Sequence, residues 1–150
     1  MAEQNTRNAA ELAAGRKLGP SENGQEQRMI IEWPAAHAFA NGDTVGTGMI
    51  LKRGTRLTAL PLISFATGAA SSTLSLGLRD PVTKTAIDAT AIVNALAITT
   101  AATASSATGT KYVNGQRYLL PQDAEVYATL GGATPQANQA IRVEIPYITP

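Results

Sequence analysis

The chain has 150 residues, a formal net charge of +1 and no cysteine. The near-zero charge predicts no strong attraction to nucleic acid or to anionic lipid. Without cysteine, these residues exclude disulfides, thiolate nucleophiles and cysteine-based zinc sites. Charged residues make up only 15% of the chain. The small uncharged residues that replace them suit either flat packing against another protein or a sandwich that simply tolerates low charge.

Residues 1–27 are polar and form a predicted N-terminal arm. Residues 5–18 are rich in helix-tolerant alanine, but only Leu12 and Leu18 could anchor a helix there. A helix with so few anchors is marginal in water. We expect an extended or partly helical arm that is either disordered or ordered on a partner, with a frayed terminus as the alternative. No apolar run follows Met1, so we expect no secretory signal.

The body, residues 28–150, is predicted to be one all-β domain. Residues 28–33 and 48–52 are typical of short strands bounded by turn residues. Residues 55–65 indicate a long strand, in which Pro61 argues for an edge position or a bulge because proline cannot donate to a ladder.

The middle of the body is less uniform. Residues 73–78 alternate, and their three leucines face one way. Residues 88–96 could form a short helix capped by Asp88. Residues 98–107, a run of Ala, Thr and Ser, could be a flexible loop or a strand lying flat against a neighbour.

The last part of the body contains the clearest strands. Asn114-Gly115 predicts a hairpin turn that pairs residues 117–120 with the region before Tyr112. Residues 124–133 and 139–147 then alternate between apolar and polar side chains. About seven or eight strands, spaced roughly eight to twelve residues apart, indicate an antiparallel β-sandwich or jelly roll.

Few residues suggest chemistry. His37 is the only histidine, and no Gly-x-Ser-x-Gly elbow accompanies it, so we interpret it as a loop or strand histidine. Asp123 and Glu125 could hold a cation from one strand face, although a solvated face is the alternative. Gly46 and Gly48 fit turns or bulges better than phosphate loops. We predict no catalytic, cofactor-binding or metal-binding residue, and no enzyme.

Two other features allow two interpretations each. Trp33 and Tyr147 lie at strand ends beside prolines and could be interface anchors or plugs of the core. Lys52, Arg53 and Arg56 form a small positive patch that could equally be an ordinary solubilising turn.

The order of several segments resembles a known family. Lys52-Arg-Gly-Thr-Arg-Leu57 leads into a strand, and Gly68-Ala-Ala-Ser-Ser-Thr-Leu-Ser-Leu-Gly-Leu78 follows it. Tyr118-Leu-Leu-Pro-Gln-Asp-Ala-Glu-Val-Tyr-Ala-Thr-Leu-Gly-Gly-Ala133 then precedes a closing apolar strand. Over roughly residues 49–147 this succession resembles the decoration, or cement, proteins of tailed-bacteriophage heads.

This resemblance implies a jelly-roll-like sandwich on the outer capsid surface of a virion, made in the host bacterial cytoplasm. Its implied partners are the major capsid protein, whose subunits it would bridge, and further copies of itself in a homodimer or homotrimer. The long arm and the connection at residues 81–85 depart from the family pattern.

We predict contacts to the capsid or to a neighbouring copy through the arm and the first strand. The candidate contact residues are Thr6, Arg7, Leu12, Arg16, Leu18, Met29, Ile31 and Trp33. A glycan-binding β-sandwich of a phage head or tail fibre is the alternative function. A trimeric dUTP-hydrolysing enzyme is a third, although its phosphate-binding and catalytic motifs are not visible in the sequence.

Overall fold

A computed structural model describes residue 15, residues 25–112 and residues 118–150. These described residues contain nine β-strands. The strands are β1 (Gln27–Glu32), β2 (Thr44–Leu51), β3 (Arg56–Leu57), β4 (Leu62–Phe65), β5 (Thr73–Arg79), β6 (Ala86–Ala97), β7 (Ala102–Ser105), β8 (Ala124–Gly131) and β9 (Ile141–Ile148).

The strands pair in a nested order. β1 pairs with β9, β2 with β8, β4 with β7 and β5 with β6, all antiparallel. The first sheet therefore has the order β1-β9-β4-β7, with β3 also on β9, and the second has the order β2-β8-β5-β6. This is the pairing of one long hairpin rolled into two stacked sheets, which defines a jelly roll. The expected all-β, jelly-roll-like sandwich is confirmed.

The core lies between the two sheets and is built by period-two alternation. Leu74, Leu76 and Leu78 of β5 all face inward and are at most 1% exposed. They belong to one apolar cluster with the inward residues of β9 and β8. Burying an aliphatic side chain of this kind contributes about 1.5–3 kcal/mol, so the inward leucines of β5 contribute substantially to the stability of the fold.

The predicted long strand at residues 55–65 is wrong in its length. The chain forms β3 and β4 with a break between them, and Pro61 lies in that break. Both pieces pair with β9, β3 near its end and β4 near its beginning. The two pieces together fill one strand position of the jelly roll, because a proline can interrupt a ladder without the chain leaving the sheet.

The predicted short helix at residues 88–96 is also wrong, because these residues belong to β6. Ala91, Ile92 and Val93 are all buried, although successive side chains of a regular strand point to opposite faces. This is possible because β6 shifts its register against β5 in this region. Gly77 permits that close crossing, since a Cβ there would lie 2.6 Å from two carbonyl oxygens of β6. Tertiary packing thus overrides the local capping signal.

Two other predictions of the middle region are resolved. Within residues 98–107 the strand alternative is correct, because β7 pairs with β4. Leu119 bridges to Arg56 rather than to the chain before the predicted hairpin. The hairpin turn itself, Asn114-Gly115, lies outside the described residues. No helix in the described ranges is long and apolar enough to cross a membrane.

Candidate interaction surface

The outer face of the first sheet carries a ladder of alternating charges. The strand register places Glu32 beside Arg142 and sets Arg28 diagonally from Glu144. Arg142 pairs with Glu32, and its Nε lies 3.2 Å from Glu144 Oε1. Arg28 Nη1 lies 3.1 Å from Glu144 Oε2. These four side chains, the charge ladder, form one connected network across β1 and β9.

The ion pairs of the charge ladder favour the charged forms of Arg142 and Glu144. The Arg142 hydrogen bond, and then that of Arg28, lowers the pKa of Glu144 below its usual value. The hydrogen bond that Arg142 donates to Glu144, helped by the one that it donates to Glu32, raises the pKa of Arg142. Exposed pairs of this kind add little to stability.

A shallow cleft adjoins the charge ladder where the strands of the first sheet meet the loops. Its volume is about 870 Å³. Ser64 and Thr103 lie side by side on this face, with their hydroxyl oxygens 3.0 Å apart. Trp33 and Phe65 also line the cleft, although they are only 8% and 7% exposed. The cleft therefore combines polar groups with apolar ones that offer little free surface.

A smaller groove opens between the edges of the two sheets. It has a volume of about 310 Å³ and lies between β1 and β2. Ile30 and Met49 line it and are 43% and 40% exposed. Ile50, the next residue of β2, is 48% exposed. Among the described residues no strand covers the outer edge of β1 or of β2, so apolar side chains and free backbone groups coincide on this side.

The sequence-predicted contact residues fall into two groups. Met29, Ile31 and Trp33 lie in the core cluster and are 6–8% exposed. Their side chains therefore hold the first strand against the sandwich, and the core-plug interpretation of Trp33 is correct. The five arm residues Thr6, Arg7, Leu12, Arg16 and Leu18 lie outside the described residues.

On the second sheet, the outer face holds a buried ion cluster that sequence reasoning missed. Glu125 of β8 is 3% exposed. Its oxygens each accept a 3.0 Å hydrogen bond from Arg79, and Oε2 lies 2.6 Å from Lys84 Nζ. The Gly48 backbone N–H donates to Oε1 at 3.3 Å. With Arg79 as the largest cause, these partners lower the pKa of Glu125 to about 2.

The bulge of β2 packs against this ion cluster. The register of β2 against β8 shifts between Gly46 and Ile50, so the interpretation of the glycines there as a bulge is confirmed. A Cβ at Gly46 would overlap the Arg79 guanidinium. Arg79 also lies over the Tyr127 ring, 5.2 Å from its centre, and this stacking favours the cation. The cluster therefore joins β2, β5 and β8 on the outer face of the sheet.

Asp123 and Glu125 do not form a shared cation site. Asp123 accepts a 2.8 Å bond from the Arg53 backbone N–H and pairs with Lys52 at 2.9 Å. The Arg53 bond is the largest cause of its lowered pKa. Each carboxylate therefore has its own cationic partners, and the positive patch at this turn is partly neutralised. Within the described ranges no three His, Asp or Glu side chains converge as metal ligands.

The contacts of His37 are structural. It lies in the loop between β1 and β2, where its Nε2 donates to the Gln139 carbonyl oxygen at 2.9 Å. Its backbone N–H donates to the Asn138 side chain, also at 2.9 Å. The ring stacks on Phe39 with centres 4.7 Å apart. These contacts join two loops of the sandwich, and the interpretation of His37 as a loop histidine is correct.

The nested strand pairing and the closed core define a jelly-roll β-sandwich whose distinctive surfaces are strand edges and sheet faces. A chain in the capsid of Ralstonia phage GP4 shares this fold with a TM-score of 0.62 and 15% identity, over 85% of this chain and 86% of that one. A chain in the capsid asymmetric unit of cyanophage Pam1 shares it with a TM-score of 0.60 and 16% identity, over the whole of both chains. No protein-family model and no curated protein matches the sequence.

Proposed function

We propose that this chain is a structural protein of a phage virion that decorates and cements the capsid. It would bind the outer head surface and bridge subunits of the major capsid protein. The observation that carries the proposal is the jelly roll shared with chains of two phage capsids over most of their length. The order of sequence segments, which resembles head decoration proteins, supports the same role independently.

The proposed mechanism is additive. Each copy contributes a modest interface, and many symmetric copies together resist expansion of the shell. In this proposal the arm, residues 1–27, contacts the capsid or an adjacent copy through Thr6, Arg7, Leu12, Arg16 and Leu18. The edge of β1 supports a second contact, because an uncovered strand can accept another strand.

Binding to heads that lack this protein tests the function. We expect the full chain to co-sediment with such heads and to raise the temperature at which they rupture. Failure of the folded full chain to bind would overturn the proposed function. A chain that begins at Gln25 tests the arm and retains the 2.7 Å bond between Glu26 and Thr58.

We expect the chain that begins at Gln25 to bind heads at least tenfold more weakly, because it lacks the arm. A full-length L12S/L18S variant provides the matched control for simple loss of length. Equal binding by all three proteins would leave the capsid role standing and remove the arm from it.

The cleft on the first sheet favours glycan binding as a second candidate. It brings Ser64, Thr103 and Arg142 together on one open face, and jelly rolls also occur in lectins. A glycan array with no hit at micromolar protein would remove this candidate. A hit that is lost in a Thr103→Trp variant, which fills the cleft, would favour it.

A further inference from the structure

One hydrogen bond at the end of β1 shows which residues of this strand direct their backbone groups toward β9. The Trp33 N–H donates to the Ile141 carbonyl oxygen at 3.0 Å. Backbone direction alternates along an antiparallel strand, so Met29 and Ile31 also face β9. Arg28, Ile30 and Glu32 then direct their N–H and C=O groups away from the sheet. Pro146, which has no N–H, lies opposite Arg28, as this alternation requires.

The three outward residues are self-complementary. Arg28 and Glu32 lie two residues on either side of Ile30 and carry opposite charges. Their side chains are 58% and 62% exposed. In an antiparallel pair centred on Ile30, each Arg28 would face the partner's Glu32, and the two Ile30 side chains would face each other.

We propose that the edge of β1 is the interface between two copies of this chain, which pair antiparallel about a two-fold axis at Ile30. The two first sheets then become one continuous sheet. This interface deepens the proposed self-association, and it rests on the proposed function only for the choice of a second copy as partner.

Within the part of the chain that the structure describes, this pairing gives a partner to each outward backbone group of these three residues. The N–H groups of Arg28, Ile30 and Glu32 each meet a carbonyl of the other copy, and the reverse holds as well. Each such bond adds a modest net stabilisation to the pair. The exposed Ile30 side chains leave water together, next to the apolar groove that Met49 also lines.

The charges select one register. A slip of two residues would place Arg28 opposite Ile30 or Pro34, and a slip of one would place the outward residues opposite residues whose backbone groups already face β9. In the centred register, each Arg28 joins the partner's Glu32 to its own Glu144. The charge ladders of the two copies then close into a single ring of alternating charge around the Ile30 pair.

Charge exchange across the two-fold axis provides the test, with the full chain and without heads. We expect the wild type to be a dimer in light scattering at micromolar concentration. Arg28→Glu and Glu32→Arg each place like charges in both symmetry-related contacts, so each variant alone becomes monomeric. An equimolar mixture restores a heterodimer, because the introduced glutamate of one variant then faces the introduced arginine of the other. The two native side chains, Glu32 of the first variant and Arg28 of the second, also face each other.

Two matched controls separate the interface from folding. Val82→Glu adds a charge at an exposed residue of the connection between β5 and β6, outside the β1 edge, and it stays dimeric. Ile30→Cys forms a disulfide-linked dimer on mild oxidation, whereas Arg28→Cys does not. Paired Cα atoms here lie about 5.5 Å apart, within disulfide range, while the two residues at position 28 lie four residues apart.

A monomeric wild type, dimeric single variants or a mixture that stays monomeric would overturn the proposal. A monomeric full chain that dimerises only when it begins at Gln25 would also overturn it, since the arm would then cover the edge. Head binding is measured separately, so loss of the dimer and loss of the proposed function are distinguishable.

Discussion

The Glu125 carboxylate receives two 3.0 Å hydrogen bonds from Arg79, one on each oxygen, across neighbouring strands on the outer face of the second sheet. The bidentate pair is nearly shielded from water, with side chains 4% and 14% exposed. Charge-assisted bonds of this geometry are strong and directional. The pair therefore ties β8 to β5 outside the apolar core.

Removal of this pair is expected to destabilise the fold. Glu125→Gln leaves Arg79 without its counter-charge, and breaking a buried ion pair in this way costs about 3 kcal/mol. Arg79→Lys keeps the charge but loses the fork geometry, so we expect a smaller loss. Urea unfolding at pH 7 measures both. Asp123, just before the same strand, has a more exposed carboxylate. Asp123→Asn should shift the urea midpoint far less than Glu125→Gln does. An equal shift would contradict the role of burial.

The same carboxylate predicts an acid dependence of stability. Its pKa is about 2 in the folded protein, against an ordinary value of 4.5 for a glutamate. Its contribution is therefore complete above about pH 4.5 and is lost as the pH falls toward 2. The difference in unfolding free energy between wild type and Glu125→Gln should shrink between pH 5 and pH 2.5. A difference that is constant over this range would contradict the assignment.

Gly46 is predicted to be intolerant of a side chain. A Cβ at this position overlaps the Arg79 guanidinium and lies 3.2 Å from Glu125 Oε1, so Gly46→Ala must displace the ion cluster. We expect a loss of about 1–3 kcal/mol, as for other overpacked sites. Gly131→Ala is the matched control, since its Cβ meets only the Thr73 hydroxyl at 3.3 Å. Thermal unfolding of both variants provides the comparison.

The core prediction concerns Leu76, which is fully buried between the two sheets. Leu76→Ala should reduce the unfolding free energy by about 2–5 kcal/mol, because it removes apolar contact and leaves a cavity. Val82→Ala, at a residue that is 85% exposed, should change it by less than about 0.5 kcal/mol. Denaturant unfolding that showed similar losses for both would mean that the core is placed wrongly.

Alternation made much of the fold predictable. The leucines of β5 and the aliphatic residues of β9 face the core as their period-two pattern indicates. The pattern failed where packing was not periodic, as in β6, where three consecutive residues are buried at a register shift. Local residue preferences cannot reveal such a shift, because it depends on the strand that lies alongside.

The candidate surfaces were harder to predict. Met29, Ile31 and Trp33 attracted attention as large apolar residues of a short strand, and the structure places all three in the core. Ile30, between two of them, is the exposed one. The local pattern around Glu125 favoured a solvated face, because nothing near it indicates that Arg79 and Lys84, more than 40 residues earlier in the chain, pack over it.

By itself, the sequence determined the all-β class, the apolar faces of the clearest strands and the absence of cysteine chemistry, since these depend on composition and on neighbours one or two residues away. Only the tertiary structure decided which strands pair, that β1 lies at an uncovered edge of the described sheet and that Arg79 reaches Glu125. Those features arise from contacts between distant segments, which nested jelly-roll pairing brings together and local sequence does not encode.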